Sequence, residues 1–407
     1  MTENTCVIAG AGPAGAMLAL LLARAGVKVT LLEKHGDFLR DFRGDTIHPS
    51  TLQILDELGL AEEFHRLPHR KEHRLVMMTD DGLAPVADLT RLPGRYRYIA
   101  FVPQWDFLNL VTEAAGRYPS FRLVMNTEVT GVIREGGAVR GLRYRDAEGE
   151  HELRATLTVA ADGRTSAVRR AAGLVPREFG APMDVVWFRL PREASDPDQT
   201  FLRLSSGRIM VAIDRGSYWQ LAYVIRKGGF DALRAEGIKA LREQVAGLLP
   251  FLDGRVGLLD GFDDVSMLSV RVNRLSRWHR PGLLAIGDAA HAMSPIFGVG
   301  INLAVQDAVA AANLLAGPLA AGAGIPESLL ARVQRRRMPP TAVTQFAQRA
   351  VQAALISPTL SGRVRPTGLP RDVSRLPVVG ALGRRFIGFG VLPEHVRSPE
   401  ASPPRRK

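Results

Sequence analysis

Apolar residues fall along this chain in three kinds of run, and each kind predicts a different element. Short, mostly apolar runs occur at 5–9, 27–32, 157–161 and 283–286, broken only by Lys28 and by Thr5, Thr30 and Thr158. Runs of that kind predict strands covered on both faces, as in a parallel sheet. The runs at 185–190, 208–213 and 218–225 alternate as half-covered strands do and predict a mixed or antiparallel sheet. Two further apolar runs, 75–79 and 84–89, flank Asp80-Asp81-Gly82, a hairpin signal. Helical spacing covers 14–25, 231–249, the stretch through Gln306, Asp307 and Asn313, then 341–355 after Pro339-Pro340, and 378–389. Gly26 follows the first of these where a helix commonly ends. The longest apolar run, 14–23, falls short of the roughly 20 residues a membrane span needs. With no basic segment ahead of an apolar core at the N-terminus, the pattern predicts a cytoplasmic protein without membrane insertion. The polar, proline-rich end from Ser398 is expected to be a disordered tail, 398–407.

Composition narrows this further. The 407 residues correspond to two or three domains at roughly 100–200 residues each. A content of 46% hydrophobic and 23% charged residues excludes global disorder. One cysteine, Cys6, excludes an intrachain disulfide and a cysteine-built zinc site. The net charge of +12 invites a nucleic-acid or anionic-membrane reading. The basic residues are spread along the chain, dense only near 335–337, 363–385 and 405–407, and no nucleic-acid motif accompanies them. No nucleic-acid partner is therefore expected, and the chain is expected to act as a monomer or homodimer.

The first strand runs into Gly10-Ala-Gly12-Pro13-Ala14-Gly15, a helix follows, and the second strand ends at Glu33 and Lys34. Gly10 permits a tight turn, Gly12 admits a pyrophosphate close to the backbone, and Gly15 lets helix and strand approach. The helix start offers free N–H groups and a positive dipole to phosphate. Glu33, 18 residues after Gly15, is placed to accept from a ribose hydroxyl, which favours FAD or NAD over NADP at this site.

Two later segments repeat the strand-then-glycine pattern: Asp162-Gly163-Arg164 leading to Arg169, and Gly287-Asp288-Ala-Ala-His291 followed by Ser294-Pro295 and Gly298-Val-Gly300-Ile301-Asn302. Asp288 can accept from a ribityl hydroxyl, and a helix starting at Gly298–Gly300 would place its positive end toward charge on a reduced flavin. With these three segments in order, the chain resembles the single-component FAD aromatic hydroxylases of the para-hydroxybenzoate hydroxylase type, over about residues 4–345. The resemblance implies FAD bound by Gly10, Gly12, Pro13, Ala14, Gly15, Glu33, Lys34, Asp162, Gly163, Gly287, Asp288, Pro295, Gly298, Gly300, Ile301 and Asn302. It adds Arg43 near the flavin ring, Gln104 opening a helix, and Val129 beside adenine. Arg164 and Arg169 stand open between donor contact and solvated helix charges. The resemblance also implies NADH or NADPH as a transient donor, O₂ addition at flavin C4a, and transfer of one oxygen to an electron-rich aromatic compound.

The implied architecture is α/β: a discontinuous Rossmann-type FAD domain (1–70, 95–180, 265–330), an inserted substrate-binding sheet (71–94, 181–264) and a C-terminal helical segment (331–397). A small-molecule site is expected between sheet and flavin. Candidates for its lining are Trp187, Met210, Trp219, Tyr223, Met293, Pro295, Ile296 and Phe297, each equally readable as core. His48 is the candidate catalytic residue, as a substrate contact or proton acceptor, with packing an equal rival. His291 is expected to be structural. His65, His69 and His73 share a spacing of four, but Pro68 breaks the helix that would align them, so no metal site is expected. Rival functions are an FAD-dependent reductase or dehydrogenase and a non-oxidising FAD-binding protein.

Overall fold

The computed structural model describes residues 4–39, 46–362 and 377–401. The mostly apolar runs form one sheet. Asn4–Ala9 lies at its centre, with Val29–Leu32 and Gly149–Ala160 parallel on either side. Phe121–Val124 extends one edge; Leu283–Ala285 and then His279–Arg280 extend the other. Cys6, Val7, Ile8 and Ala9 are all buried, which is why this strand carries no polar alternation. The helix Pro13–Arg24 is buried from Ala14 to Ala23, packed against the helices Gly300–Ala320 and Gln104–Gly116. The first half of Gly149–Ala160 leaves the sheet to pair with Ala138–Asp146, which pairs with Glu128–Glu135.

The alternating runs form a second, seven-stranded sheet: Ser266–Leu268, Met183–Pro191, Tyr218–Arg226, Arg208–Asp214, Phe201–Ser205, Arg74–Thr79 and Gly82–Asp88. Its two faces do different work. Val186, Phe188, Met210, Trp219 and Tyr223 pack under the helices Phe230–Glu236 and Ile238–Leu248. Val185, Ile209, Ala222 and Val224 face the other way and take in Ile296, Ile356 and Leu360. The edge strand Ser266–Leu268 pairs with Met183–Pro191, so this sheet reaches past the boundary expected at 264.

Three local expectations change. The helix expected at 231–249 breaks at Gly237, whose φ of +86° only glycine adopts readily. The helix Glu327–Val351 continues through Pro339-Pro340. The prolines remove the N–H donors that the carbonyls of Arg335 and Arg336 would otherwise receive. The expected tail is not free at its start. Arg24 donates to the Ser398 carbonyl and pairs with Glu400, both at 3.0 Å, and Ala401 N–H donates to the Arg24 carbonyl. Residues 402–407 lie outside the described residues. One described helical stretch, 296–320, is long and apolar enough to cross a membrane, and 83% of its most apolar window is buried inside the protein.

A buried charge cluster ties the layers together. Asp307, on the Gly300–Ala320 helix, accepts from Gly287 N–H at 3.1 Å and His291 Nε2–H at 2.6 Å on one oxygen. Its other oxygen accepts from Arg337 Nε–H at 3.0 Å. Arg337 reaches Glu394, which also pairs with Arg336 at 2.6 Å. Burial pushes the Asp307 carboxyl up, but the His291 and Arg337 partners outweigh it and hold it below the usual range. Replacing Arg337 by leucine leaves that charge without its guanidinium partner and is expected to cost about 3–5 kcal/mol in urea unfolding. Because the folded pKa lies below the unfolded one, the contribution of Asp307 is full above about pH 4 and is lost as pH falls through the folded value. The gap between wild type and Arg337→Leu should therefore narrow in acid; a gap unchanged at pH 7 and pH 3 contradicts the pairing.

Candidate active site

The three glycines of the first motif have different physical reasons. Gly10 has φ +93°, and a Cβ there would lie 2.6 Å from the Ala161 carbonyl oxygen. A Cβ on Gly15 would lie 1.9 Å from the Gly10 carbonyl oxygen. Both serve the fold. Gly12 meets nothing within 4 Å, and its φ of −69° suits any residue. The space beside Gly12 therefore serves something outside the chain's own packing. It adjoins the start of the Pro13–Arg24 helix, which no side chain caps. Open backbone at an uncapped helix start fits the pyrophosphate of a dinucleotide.

The later motifs converge on this point. A Cβ on Gly287 would lie 2.9 Å from Ala14 Cβ, so the third motif packs directly on the first helix. Glu33 is buried and accepts from Ala11 N–H at 3.0 Å and His35 N–H at 3.2 Å. Lys34 is exposed. Asp162 accepts from the Ser166 hydroxyl and from Val168 N–H at 3.1 Å, so its carboxylate anchors the turn that follows. Burial raises its pKa, against the pull of those donors. Gly163 takes φ +79°. Arg169 is buried and donates to the carbonyls of Ala289 at 3.1 Å and Arg164 at 2.7 Å. Arg164 donates to Asp288 Oδ2 at 3.2 Å. Neither arginine is a solvated helix charge; together they lock the middle motif to the late one. Gln104 opens the Gln104–Gly116 helix, and Val129 lies half-buried on Glu128–Glu135. Arg43 falls outside the described residues.

The loop after His291 is shaped by strain and by side chains from afar. Phe297 has φ +68° although it is not glycine, and Gly298 follows at +64°. Such a residue costs roughly 1–3 kcal/mol and persists only where its surroundings impose it. They do so here. Thr46 Oγ donates to the Gly298 carbonyl at 2.6 Å. Gln348 Nε2 donates to the carbonyls of Ser294 and Ile296, both at 2.9 Å, and Gln345 Nε2 to those of Asn273 and Ala292. Gln352 adds a 2.9 Å bond to Ser294 Oγ. These glutamines were missed by motif reading; their spacing of three and four on one predicted helix was the available signal. Asn302 spends its side chain within the protein: Oδ1 accepts from His48 N–H and Thr51 Oγ–H, and Nδ2 donates to Thr46 O. Pro295 is exposed, Gly300 half-buried and Ile301 buried.

A lining of aromatic and apolar residues completes the site. Trp187 and Val211, on the inner face of the second sheet, pack with Phe386, Ile387 and Phe389 of the helix Pro377–Phe389. Phe386 meets Phe297 edge-on at 5.9 Å. Phe297 also packs on Met293, Val299 and Leu303. His48, Asn302 and Leu303 face this helix across a small cleft partly open to solvent. Met210, Trp219 and Tyr223 are corrected as lining residues. The register places Trp187 opposite Ala222, and Met210 opposite Tyr223, so Met210 and Tyr223 point away from Trp187. The Tyr223 hydroxyl donates to Gln244 at 2.6 Å and Trp219 Nε1–H to Asp196 at 2.8 Å, both on the far side. His48 Nδ1–H donates to the Ile387 carbonyl at 2.7 Å; buried Nε2 makes no hydrogen bond of ordinary geometry, although the Gly298 backbone also acts on the ring. Burial lowers the imidazole pKa to about 4, so the ring is neutral at physiological pH. His65 meets the Tyr98 hydroxyl, His69 the Leu67 carbonyl and His73 the Arg97 carbonyl, each on a separate partner.

Gly12→Ala should leave the melting of the FAD-free protein unchanged while weakening FAD binding tenfold or more, and Gly15→Ala should lower the melting temperature itself. Circular dichroism melts and FAD titration separate the two; a Gly12→Ala protein with native FAD affinity contradicts the cradle. For His48 the unfolded chain takes up a proton from about pH 6.5 downward, and the folded chain does so only near pH 4. Its contribution to stability is therefore present above pH 6.5 and is lost as pH falls toward 4, by roughly 3 kcal/mol at ~1.4 kcal/mol per pH unit. His48→Gln should flatten that part of the pH–stability curve; an unchanged slope contradicts the burial assigned to the ring.

Residues 3–347 match the family described as FAD binding domain. The 6-methylpretetramide 4-monooxygenase of Streptomyces rimosus is 35% identical over 401 residues, spanning 97% of this chain and 94% of that protein. The 3-(3-hydroxy-phenyl)propionate/3-hydroxycinnamic acid hydroxylase of Escherichia coli (strain K12) is 28% identical over 313 residues, spanning 74% of this chain and 53% of that protein. Among solved structures, OxyS anhydrotetracycline hydroxylase from Streptomyces rimosus superposes with a TM-score of 0.75 at 24% identity, covering 95% of this chain and 76% of that one. PqsL, a probable FAD-dependent monooxygenase from Pseudomonas aeruginosa, gives 0.75 at 22% identity, covering 89% and 98%. At these identities the structural likeness establishes the fold, and the sequence matches establish the family: the chain belongs to the FAD binding domain family, among its FAD-dependent monooxygenases.

Proposed function

We propose that the protein takes electrons from NADH or NADPH and uses O₂ to hydroxylate an aromatic compound of the methylpretetramide or anhydrotetracycline class. The observation that carries the substrate class is the 35% identity to the Streptomyces rimosus monooxygenase over nearly the full length of both chains. Bound FAD supplies the redox chemistry, accepting a hydride from the donor and activating O₂ for insertion of one oxygen, the other leaving as water. The chain's own residues hold, orient and enclose. The uncapped start of the Pro13–Arg24 helix and the space beside Gly12 take the pyrophosphate. Asp288, with one oxygen on Arg164, is placed to accept from the ribityl chain. The start of the Gly300–Ala320 helix, also without a side-chain cap, would offer its positive end to charge on the ring. Trp187, Phe297 and Phe386 supply apolar walls that exclude water from the oxygen-transfer region. His48, buried with a neutral ring, is the proposed hydrogen-bond acceptor for a substrate hydroxyl.

The purified FAD-loaded protein should lose its yellow colour anaerobically with NADPH or NADH. In air it should then convert an aromatic substrate of this class into a product heavier by one oxygen, read by mass spectrometry. A flavin that neither donor reduces, with or without a panel of such substrates, overturns the reading.

A further inference from the structure

One group of charged side chains has no part in the site above. Three guanidinium groups surround the ring of Phe179: Arg349 at 5.1 Å, Arg274 at 5.2 Å and Arg177 at 5.5 Å from its centroid. They come from three places in the fold. Arg177 lies on the strand Pro176–Glu178, Arg274 on Asn273–Leu275, and Arg349 in the last turn of the helix Glu327–Val351. The register sets Arg177 directly across from Arg274, a like-charge pair that a sheet normally avoids. Among the described residues no carboxylate lies within ion-pair distance of any of the three. Glu178, next along the strand, accepts instead from the Asn273 amide at 2.8 Å and acts on the charge of Arg169. Arg274 has only the neutral Gln345 as hydrogen-bond acceptor, at 2.7 Å. Burial, and after it the charges of Arg177 and Arg349, push its pKa below the ordinary value. Stacking on one aromatic ring offsets part of this repulsion. The rest favours an anion held from outside the chain.

The position of the cluster narrows what that anion is. Asn273 N–H donates to the Ala292 carbonyl, and Leu275 N–H to that of Ala290. The strand bearing Arg274 is thus bonded to the segment that follows Gly287 and Asp288. Gln345 touches both Arg274 and Ala292. Arg169 and Arg271 act on each other's charge, continuing the positive strip toward the middle motif. On the same helix as Arg349, three residues earlier, Phe346 is 72% exposed and offers a free aromatic face. Cations for phosphate, a ring for a base, and a place one strand from the flavin motif together describe a nucleotide that must deliver electrons there. The chain has no second glycine-rich phosphate loop to do this.

We infer that Arg177, Arg274 and Arg349, gathered on Phe179, bind the phosphates of the nicotinamide dinucleotide donor; this rests on the NAD(P)H dependence proposed above. The shared chemistry is phosphate, contributed either by the pyrophosphate or by the 2′-phosphate. The test uses the FAD-loaded protein, calorimetric titration with NADP⁺ and NAD⁺, and anaerobic stopped-flow reduction by NADPH and NADH. The exposed pair Arg177→Ala/Arg349→Ala should weaken binding about tenfold or more. It should raise the donor concentration for half-maximal flavin reduction by a similar factor, with FAD content and limiting reduction rate unchanged. Arg177→Lys/Arg349→Lys should keep most of the affinity, since the charges remain. Arg332→Ala/Arg335→Ala removes the same charge elsewhere on that helix and should change nothing. Loss for both nucleotides assigns the pyrophosphate; loss for NADP⁺ alone assigns the 2′-phosphate. Unchanged donor affinity in Arg177→Ala/Arg349→Ala, in a protein whose wild type is reduced normally, overturns the inference alone. Equal weakening by Arg332→Ala/Arg335→Ala overturns it as well. A wild type that neither donor reduces removes both the donor reading and the site.

Discussion

Asp307 is the constraint on which the rest of this structure depends. A carboxylate with no exposure to water is tolerable only if its oxygens are fully engaged by donors. The donors here come from two other parts of the chain: Gly287 N–H and His291 from the late motif, Arg337 from the next helix. Through Arg337 and Glu394 the same charge fixes the segment after the C-terminal helix. Gly287, so held, presses on Ala14 at the start of the first helix. Two glycine motifs nearly 280 residues apart are thus brought together, and they form the proposed cofactor cradle.

A second constraint is parity. In a strand, neighbours face opposite ways, so the face a side chain takes is settled by its partner strand and not by its own composition. Trp187 and Tyr223 are both large aromatics in alternating runs. One faces the site, and the other anchors a helix on the far side of the sheet. The sheet acts as a partition between a cavity and a structural core, and only one of its faces is available to a substrate.

What was legible in the sequence follows from range. The glycine motifs were legible because the reasons for Gly10 and Gly15 lie within one strand–turn–helix unit, and that of Gly12 in the ligand such units hold. The two sheets were legible because mostly apolar and alternating runs differ in plain view. The lining was only half legible: Trp187 and Phe297 face one another's surroundings, whereas Met210, Trp219 and Tyr223 needed a register that no local pattern carries. Gln345, Gln348 and Gln352 were missed because their targets, backbone carbonyls and the Ser294 hydroxyl, lie some 50 to 70 residues away, where no motif points. The arginines of the late helix read as a surplus of charge; only the fold brings Arg349 to Arg177 and Arg274.

Gly12, the helix start beside it and the apolar face carrying Trp187 are the proposed surfaces on which cofactor and substrate meet. An experimental structure of the FAD-loaded protein tests this most directly. The pyrophosphate is expected against Gly12 and the first turn of the Pro13–Arg24 helix, and the flavin ring at the start of the Gly300–Ala320 helix on the Trp187 side of the sheet. A ring lodged among Met210, Trp219 and Tyr223, or a pyrophosphate away from Gly12, would contradict it.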